Sequence, residues 1–504
     1  MADGMTGTAG AVNNLRAAAR LECASREMIT LAPVYPEWLG EASFTRTHGC
    51  RFAYVVGEMA RGIATPRMVI AAVRAGFMGF YGSAGLRPDT VADGLSEITD
   101  ALGPDATAWG ANLIHSPQQP GQERAIVDLF LARGVARVSA SAFMTLSPEI
   151  VRYSARGLSR AADGSVQRAT HVFAKVSRAE VAGRFMAPAP VKLLQELVAC
   201  GDITADQADL AAHVPVACDI TAEADSGGHT DNRPAGTLFT SLLTARRHVC
   251  DANGIKPEAI RIGLAGGIGT PHAAASAFQM GAAYILTGSV NQSAVESGLS
   301  REGRDLLAKA GPADVIMAPA ADMFEQGVKV QVLRRGTLFG PRGNRLAEIH
   351  KRGQGFDALP PKDRDFIETV LGEPFADAWA KTADFMAKAN PGELSRAEAD
   401  PVKQLALVIR RYLFFGAQWA REGVAERVSD FQIWCGPAMG AFNEWVKDTR
   451  LEPIENRTVA EIGWNIMEGA ARLVRAQQAR AMGLEVPAEA FDIRPELMSD
   501  NPAS

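Results

Sequence analysis

Residues 262–269 have the sequence IGLAGGIG, a short apolar run that ends in glycines, and residues 284–289 repeat the pattern as YILTGS. A helical segment that begins with Thr270-Pro271 separates the two stretches. Successive strand ends with glycines, and a hydroxyl at Ser289, are typical of the phosphate-binding cup after strands seven and eight of a β/α barrel, with a helix N-terminus directed at the anion. The two stretches therefore predict a barrel with a phosphate group at one end.

Eight short apolar runs alternate with helical patterns along this part of the chain. They are residues 52–56, 77–81, 108–114, 136–142, 171–176, 216–224, 262–265 and 284–287. Apolar strands that alternate with helices indicate parallel pairing, and eight units in about 240 residues match a closed barrel better than an open sheet. The glycines come late rather than after the first strand, which argues against a dinucleotide-binding Rossmann fold. We predict an α/β fold, a TIM (β/α)8 barrel with an appended, mainly helical C-terminal domain.

The predicted boundaries follow changes in pattern and composition. They give a lead segment at 1–45, a barrel at 46–350, a helical domain at 360–490 and a loose tail at 491–504. Insertions are expected near 157–169, as a hairpin around Asp163-Gly164, and near 188–213, as extra helix. Beyond Ser289 the pattern predicts helices at 304–309, 320–326, 366–371, 375–389, 403–421 and 458–482.

Composition excludes several classes of protein. The 504 residues carry a net charge of only −5, and no concentrated basic block favours nucleic-acid binding. The six cysteines are widely spaced, so we expect no metal site, no disulfide framework and a reducing, cytoplasmic setting. No signal peptide is visible, and no run approaches the ~18 apolar residues of a membrane span.

Residues 223–231, EADSGGHTD, follow the sixth predicted strand and suggest a catalytic site. Gly227 and Gly228 allow a flat ligand to approach the backbone, and His229 then lies at the mouth of the strand. Asp231 either holds one tautomer of that imidazole or caps a helix. Together with the phosphate cup, this arrangement predicts flavin mononucleotide (FMN) with His229 beside its reactive face.

Other polar residues stand at predicted strand ends. A lysine in an apolar strand is costly to bury unpaired, so Lys175 is expected to stabilise negative charge on a reduced flavin ring. Strand alternation does not decide whether Ser139 or Ser141 faces the site, and for Glu223 and Asp225 we favour a structural role over acid–base chemistry. The expected catalytic residues are His229 and Asp231. The residues expected to contact the cofactor are Glu58, Met59, Ala60, Asn112, Ser139, Lys175, Asp225, Gly227, Gly228, Ala265, Gly266, Gly267, Gly288 and Ser289.

These motifs resemble a known group. The glycine–histidine motif at 227–229 and the cup at 265–268 and 287–289 are similar to the FMN-dependent nitronate monooxygenases (2-nitropropane dioxygenases) and flavin-type enoyl-acyl carrier protein reductases. More narrowly, residues 38–490 resemble the PfaD-type, trans-acting enoyl reductases of polyunsaturated fatty acid and trans-acyltransferase polyketide synthases. The segments that carry this closer resemblance are 175–182, 223–234 and 430–447.

The resemblance implies reduction of the α,β double bond of an acyl chain carried by an acyl carrier protein, with FMN reduced by NADPH or NADH. The expected partners are that carrier protein, its synthase and an acyl thioester; a homo-oligomer is compatible with the sequence. Two alternatives stay open at this point, a nitronate monooxygenase and a non-catalytic scaffold that docks into the synthase.

Overall fold

The computed structural model describes residues 19–22, 28–115 and 120–497. Its largest feature is a closed barrel of eight parallel strands, which confirms the predicted fold class. In chain order the strands are Tyr54–Val56, Met78–Tyr81, Trp109–Ile114, Arg137–Ser141, His171–Val176, Asp219–Glu223, Arg261–Ala265 and Ile285–Thr287. Each strand pairs with the next, and Leu286 in the eighth pairs with Val55 in the first to close the barrel.

Side chains fill the barrel interior. Phe80, Phe173 and Tyr284 are each at most 1% exposed. The Phe173 ring centroid lies 5.0 Å from that of Phe80 and 5.7 Å from that of Tyr284, in edge-to-face arrangements. Such pairs add roughly 0.5–1.5 kcal/mol beyond the burial itself. Gly263 is required here, because a Cβ atom at this position would lie 2.3 Å from the Tyr284 ring.

A buried ion network occupies the amino-terminal ends of the strands. Arg261 donates two hydrogen bonds to Asp219, at 2.6 and 2.8 Å. His48 Nε2 lies 3.1 Å from Asp219 Oδ2, while Arg137 Nε donates to His48 Nδ1 at 3.1 Å. Nδ1 is therefore the acceptor and Nε2 carries the proton. Burial lowers the pKa of His48; burial alone would raise the pKa of Asp219, but His48 and Arg261 hold it below its usual range.

Hydroxyl side chains cap three of the barrel helices, and each stands directly before a proline in the first turn. The side chain of Thr65 accepts from Met68 N at 3.0 Å, that of Ser147 from Ile150 N at 3.2 Å and that of Thr270 from Ala273 N. Helices that accompany the barrel are Ala42–His48, Pro66–Arg74, Pro88–Leu102, Pro120–Ala132, Pro148–Arg156, Ala179–Met186, Val191–Ala199, Ala205–Ala211, Ala235–Asn253, Pro271–Gln279 and Ser289–Gln292.

Smaller elements interrupt the barrel pattern. An antiparallel hairpin of Leu158–Arg160 and Val166–Arg168 lies between the fourth and fifth barrel strands. Two helices, Val191–Ala199 and Ala205–Ala211, precede the sixth strand. Another antiparallel pair, Ala19–Glu22 with Met28–Leu31, falls within the predicted lead segment.

The described residues form two compact units. The first includes the chain up to Ser226, Asp231–Gly298 and the part from Ala441 onward; the second consists of Gly227–Thr230 and Leu299–Gly440. Helix Val459–Ala481 packs on helix Pro271–Gln279 within the first unit. These units divide the chain differently from the predicted boundaries near 350 and 490, because the long C-terminal helix covers the barrel.

The second unit contains a three-stranded sheet and a group of helices. The strands Gly228–His229, Lys329–Leu333 and Val315–Pro319 are neighbours in that order. The predicted helix at 320–326 is wrong, since that region is the connection of a β-hairpin and contains only the 3-10 turn Phe324–Gln326. The α-helices are Arg301–Leu307, Phe339–His350, Pro361–Leu371, Phe375–Ala389, Pro391–Ala399 and Pro401–Glu422. Helix Pro437–Val446 crosses the boundary between the units.

Remaining 3-10 turns are Pro36–Trp38, Pro257–Ala259, Phe356–Ala358, Ala425–Asp430, Ile454–Asn456 and Ala488–Phe491. Within residues 19–22, 28–115 and 120–497, no helix combines the length and the apolar character needed to cross a membrane.

Candidate active site

Lys175 is the centre of an ion cluster at the carboxyl-terminal ends of the barrel strands. Its Nζ atom lies 3.0 Å from Glu58 Oε1 and 3.2 Å from Glu223 Oε1. The three side chains are 17%, 1% and 15% exposed, in that order. Burial alone would lower the pKa of Lys175, but Glu223 and Glu58 raise it above its usual value. The lysine is therefore protonated at neutral pH, and two carboxylates already balance its charge.

Glu58 links this cluster to the third and fourth strands. Ser141 donates to Glu58 Oε1 at 3.2 Å, and the Asn112 amide donates to the Ser141 hydroxyl at 3.0 Å. The same amide donates to the carbonyl of Ser139 at 3.0 Å. Ser141, rather than Ser139, thus contributes its side chain to the cluster, which resolves an alternative that strand alternation left open.

The second oxygen of Glu58, Oε2, is buried and has no hydrogen-bond partner in the part of the chain that the structure describes. A buried carboxylate oxygen without a donor is costly. An N–H group of a ligand at the barrel mouth would satisfy it. The adjoining carbonyls are already used, because Met59 accepts from Ala64 N at 3.0 Å and Ala60 from Ile63 N at 3.3 Å.

The predicted phosphate cup contains glycines of two kinds. A Cβ atom on Gly266 would lie 2.6 Å from the backbone of Ala224, so this glycine, at φ +85°, permits close packing of the strands. A Cβ on Gly267, at φ +73°, or on Gly288 would meet no atom within 4 Å. Their backbones therefore face open space, as a cradle for a phosphate requires.

The helices near the cup differ in where they begin. The helix after the seventh strand begins only at Pro271, with Thr270 as its cap. The short helix after the eighth strand begins at Ser289, immediately after Gly288. Ala265 is buried, and its carbonyl accepts from Ala224 N at 2.8 Å. This carbonyl is therefore already used by the neighbouring strand end.

His229 lies in the second unit, in a strand whose partner is Lys329–Leu333; the pairs are Gly228 with Gln331 and His229 with Val330. Its Nε2 atom is 3.5 Å from Asp322 Oδ1, a close contact rather than an aligned hydrogen bond. Burial alone would raise the pKa of Asp322, but its interactions with His229 lower it. Asp322 was not among the residues singled out from the sequence, where nothing marks it as a partner of His229.

Gly227 has a packing role that the sequence did not predict. A Cβ atom here would lie 2.7 Å from Cys435 N, so protein backbone, and not a ligand, occupies the space beside it. Gly228 adopts φ +83°, a conformation that favours glycine. These two glycines therefore fit the histidine strand into its sheet.

Asp231 does not orient His229, contrary to the hypothesis from sequence. It accepts from Arg178 Nε at 2.8 Å and Nη2 at 3.0 Å, and from Ser177 Oγ at 2.7 Å. These contacts, with that of Arg178 largest, lower the pKa of Asp231 to about 2. Asp225 in turn accepts from the Asn232 amide at 2.8 Å, a contact that braces the loop.

The chain is similar to several known proteins. Residues 354–431 match a family model described as the inserted helical domain of acyl-carrier-protein S-malonyltransferase. The chain is 44% identical, over 91% of its length, to one of the polyunsaturated fatty acid synthase proteins of Thraustochytrium sp. and covers 31% of that protein. It is 40% identical, over 88% of its length, to polyketide biosynthesis protein PksE of Bacillus subtilis and covers 57% of it. The chain thus spans only part of both relatives.

A solved structure matches over almost its whole length. The enoyl reductase domain of MlnA, from the macrolactin biosynthesis cluster of Bacillus amyloliquefaciens, superposes with a TM-score of 0.84 at 34% identity. The match covers 88% of this chain and 99% of that domain.

Proposed function

This chain belongs to the PfaD-type family of enoyl reductases, and we propose that it uses FMN and NADPH or NADH to reduce the α,β double bond of acyl chains tethered to an acyl carrier protein. The match to the MlnA enoyl reductase domain, over 88% of this chain, carries the proposal. The names of the two relatives, a polyunsaturated fatty acid synthase protein and a polyketide biosynthesis protein, support a carrier-bound substrate presented in trans by a synthase.

The barrel residues fit FMN. Gly267 and Gly288 leave open space for a phosphate, and the unpartnered Oε2 of Glu58 suits an N–H donor of the flavin ring. When bound, FMN would supply the carrier that accepts hydride from the reduced nicotinamide and delivers it to the β-carbon of the enoyl thioester. Lys175 holds Glu58 in place for that contact, a different role from the charge stabilisation expected from sequence.

The remaining chemistry is a proton transfer. Hydride addition at the β-carbon leaves negative charge on the thioester enolate, which must gain a proton at the α-carbon. His229 is the proposed proton donor or orienting group. Asp322, whose Oδ1 atom lies 3.5 Å from Nε2, is the carboxylate that would hold the imidazole in position for that role.

The test begins with the cofactor of the purified protein. Flavin released by heat should co-migrate with FMN and not with FAD, because the cup is built for one phosphate and no dinucleotide fingerprint is present. Under anaerobic conditions, NADPH oxidation should then require a crotonyl thioester. Thioester-independent, oxygen-dependent oxidation of a nitronate would instead favour a monooxygenase, and absence of flavin after reconstitution would favour a scaffold.

A further inference from the structure

A cleft of about 390 Å³ lies in the first unit, between the first turns of helices Ala179–Met186 and Ala235–Asn253. It is next to the loops that follow the fifth and sixth barrel strands, at the end where β/α barrels bind ligands. Its volume falls within the range of small-molecule sites, roughly 300–1,000 Å³. Its polar lining comprises Ser177, Arg178, Glu180, Arg233, Thr237 and Ser241.

Arg178 is held in a fixed position at this cleft. The two hydrogen bonds from its Nε and Nη2 atoms to Asp231 use one edge of the guanidinium, so Nη1 is left outside that pair. Ser177 donates to the same carboxylate. Asp231 thus fixes a planar donor group whose unused edge can bind another anion.

Arg233 provides a second positive charge. Its guanidinium makes no salt bridge or hydrogen bond within the described ranges, its side chain is exposed, and its charge acts on the nearby Asp231 as well as on the cleft. Thr237 and Ser241 follow four residues apart on one helix, so their hydroxyls lie on the same face. Glu180 is the anionic residue of the lining. Two guanidiniums and several hydroxyls around one cleft are donors that suit a phosphate group.

We propose that this cleft binds the phosphate of a phosphorylated ligand of the reaction. If the proposed function holds, two ligands carry a phosphate far from their reacting atoms: NADPH, on its adenosine 2′-oxygen, and the phosphopantetheine arm that tethers the acyl chain. The choice between them rests on the proposed function, whereas the affinity for phosphate does not.

Calorimetric titration of the full chain tests the site with two matched pairs of probes. Adenosine 2′,5′-bisphosphate is compared with adenosine, and 4′-phosphopantetheine with pantetheine. One phosphorylated probe should bind at least about tenfold more tightly than its unphosphorylated partner, as charge-assisted hydrogen bonds imply. The pair that shows the difference identifies the source of the phosphate.

Variants connect that difference to the cleft. Arg233→Gln should remove most of the difference in affinity between the phosphorylated and unphosphorylated probes. Arg233→Lys should retain part of that difference, because lysine keeps the positive charge but lacks the forked donors of a guanidinium. Arg184→Gln is the matched control: Arg184 lies on helix Ala179–Met186, is exposed and bonds the Met144 carbonyl instead. Equal binding of both members of each pair, or a difference that Arg233→Gln leaves intact, would overturn the inference.

These titrations need neither turnover nor bound flavin. Failure of enoyl reduction with an intact phosphate preference would count against the proposed function alone. Enoyl reduction without any phosphate preference would count against this site alone. Arg178→Gln removes the guanidinium that pairs with Asp231 and so changes the loop as well as the cleft; the exposed Arg233 variants therefore decide the outcome.

Discussion

The Nε2 atom of His229 lies 3.5 Å from Oδ1 of Asp322, although the two residues are far apart in the chain. The antiparallel pairing of Gly228–His229 with Lys329–Leu333 brings them together, because Asp322 lies in the connection that leads into that second strand. The carboxylate beside the histidine is therefore Asp322, while Asp231, two residues from His229, bonds Arg178.

Asp322→Asn should lower the rate of enoyl reduction by about 10- to 100-fold, as loss of a supporting carboxylate usually does. Because the carboxylate would position the imidazole, the loss should fall on the oxidation of reduced flavin by the enoyl thioester and not on flavin reduction by NADPH. Flavin content should stay unchanged. Asp305→Asn, which removes an exposed carboxylate of the same unit, is the control, and half-reaction rates identical to those of this control would exclude Asp322 from the site.

His229→Ala should lower enoyl reduction by about 10²-fold or more, with flavin still bound. The effect should fall on the oxidation of reduced flavin by the enoyl thioester and hardly on flavin reduction by NADPH, since only the first step needs the proton. Stopped-flow absorbance separates the two. His248→Ala, at an exposed position, is the control; if both half-reactions keep wild-type rates, His229 has only a structural role.

Gly267→Asp should abolish flavin binding in a folded protein. The added carboxylate enters the open space of the cup and repels a phosphate there. Gly254→Asp is the control for backbone strain. Gly254 has a φ of +64°, close to the +73° of Gly267, and a Cβ atom added there would also meet open space. Fluorescence titration with FMN measures the affinity. Wild-type affinity in folded Gly267→Asp would remove Gly267 from the site.

Lys175→Met should destabilise the protein by about 3–5 kcal/mol, because it leaves Glu58 and Glu223 facing each other without their buried cation. Adding Glu223→Gln should restore part of that loss. Urea denaturation gives both free energies of unfolding. Lys192→Met, at a side chain 89% exposed, should change little; a similarly small effect at Lys175 would mean that the cluster is not a closed ion network.

Asp219→Asn should also cost about 3–5 kcal/mol at neutral pH, through loss of the buried pair with Arg261. The folded-state pKa of Asp219 is lowered from an unfolded value near 3.9. The contribution of Asp219 to the free energy of unfolding is therefore complete above about pH 4 and is lost as the pH falls through the folded-state pKa. Unfolding curves of wild type and variant should differ by a constant amount from pH 7 to 5 and converge below about pH 4. A difference that grows on acidification would contradict this assignment.

The barrel could be predicted because its signal is local. Each of the eight apolar runs carries its own periodicity and turn residues, and each contains a strand. The predicted ends of the strands were less accurate. Residues 216–218 were included in the sixth strand, but the N–H groups of Val216 and Ala217 bond to Ala187 and Phe185, outside the barrel sheet.

The second unit was harder to predict because its sheet joins distant segments. Residues 329–333, KVQVL, alternate with period two and could have been recognised as a strand. The apolar run 315–319 does not alternate, so its sequence does not distinguish a strand from a helix. The partner of Asp231 is also distant in the sequence. We predicted a contact with the neighbouring His229, whereas Asp231 binds Arg178, which follows a different barrel strand.

The most direct test of enoyl reduction is a single turnover without oxygen. The purified chain is reduced with one equivalent of NADPH and mixed with a crotonyl thioester of an acyl carrier protein. We predict that flavin absorbance near its oxidised maximum returns at the rate at which the saturated butyryl thioester forms, one product per flavin, as mass spectrometry would measure. A flavin that stays reduced until oxygen is admitted, with the crotonyl group unchanged, would contradict the proposed reaction.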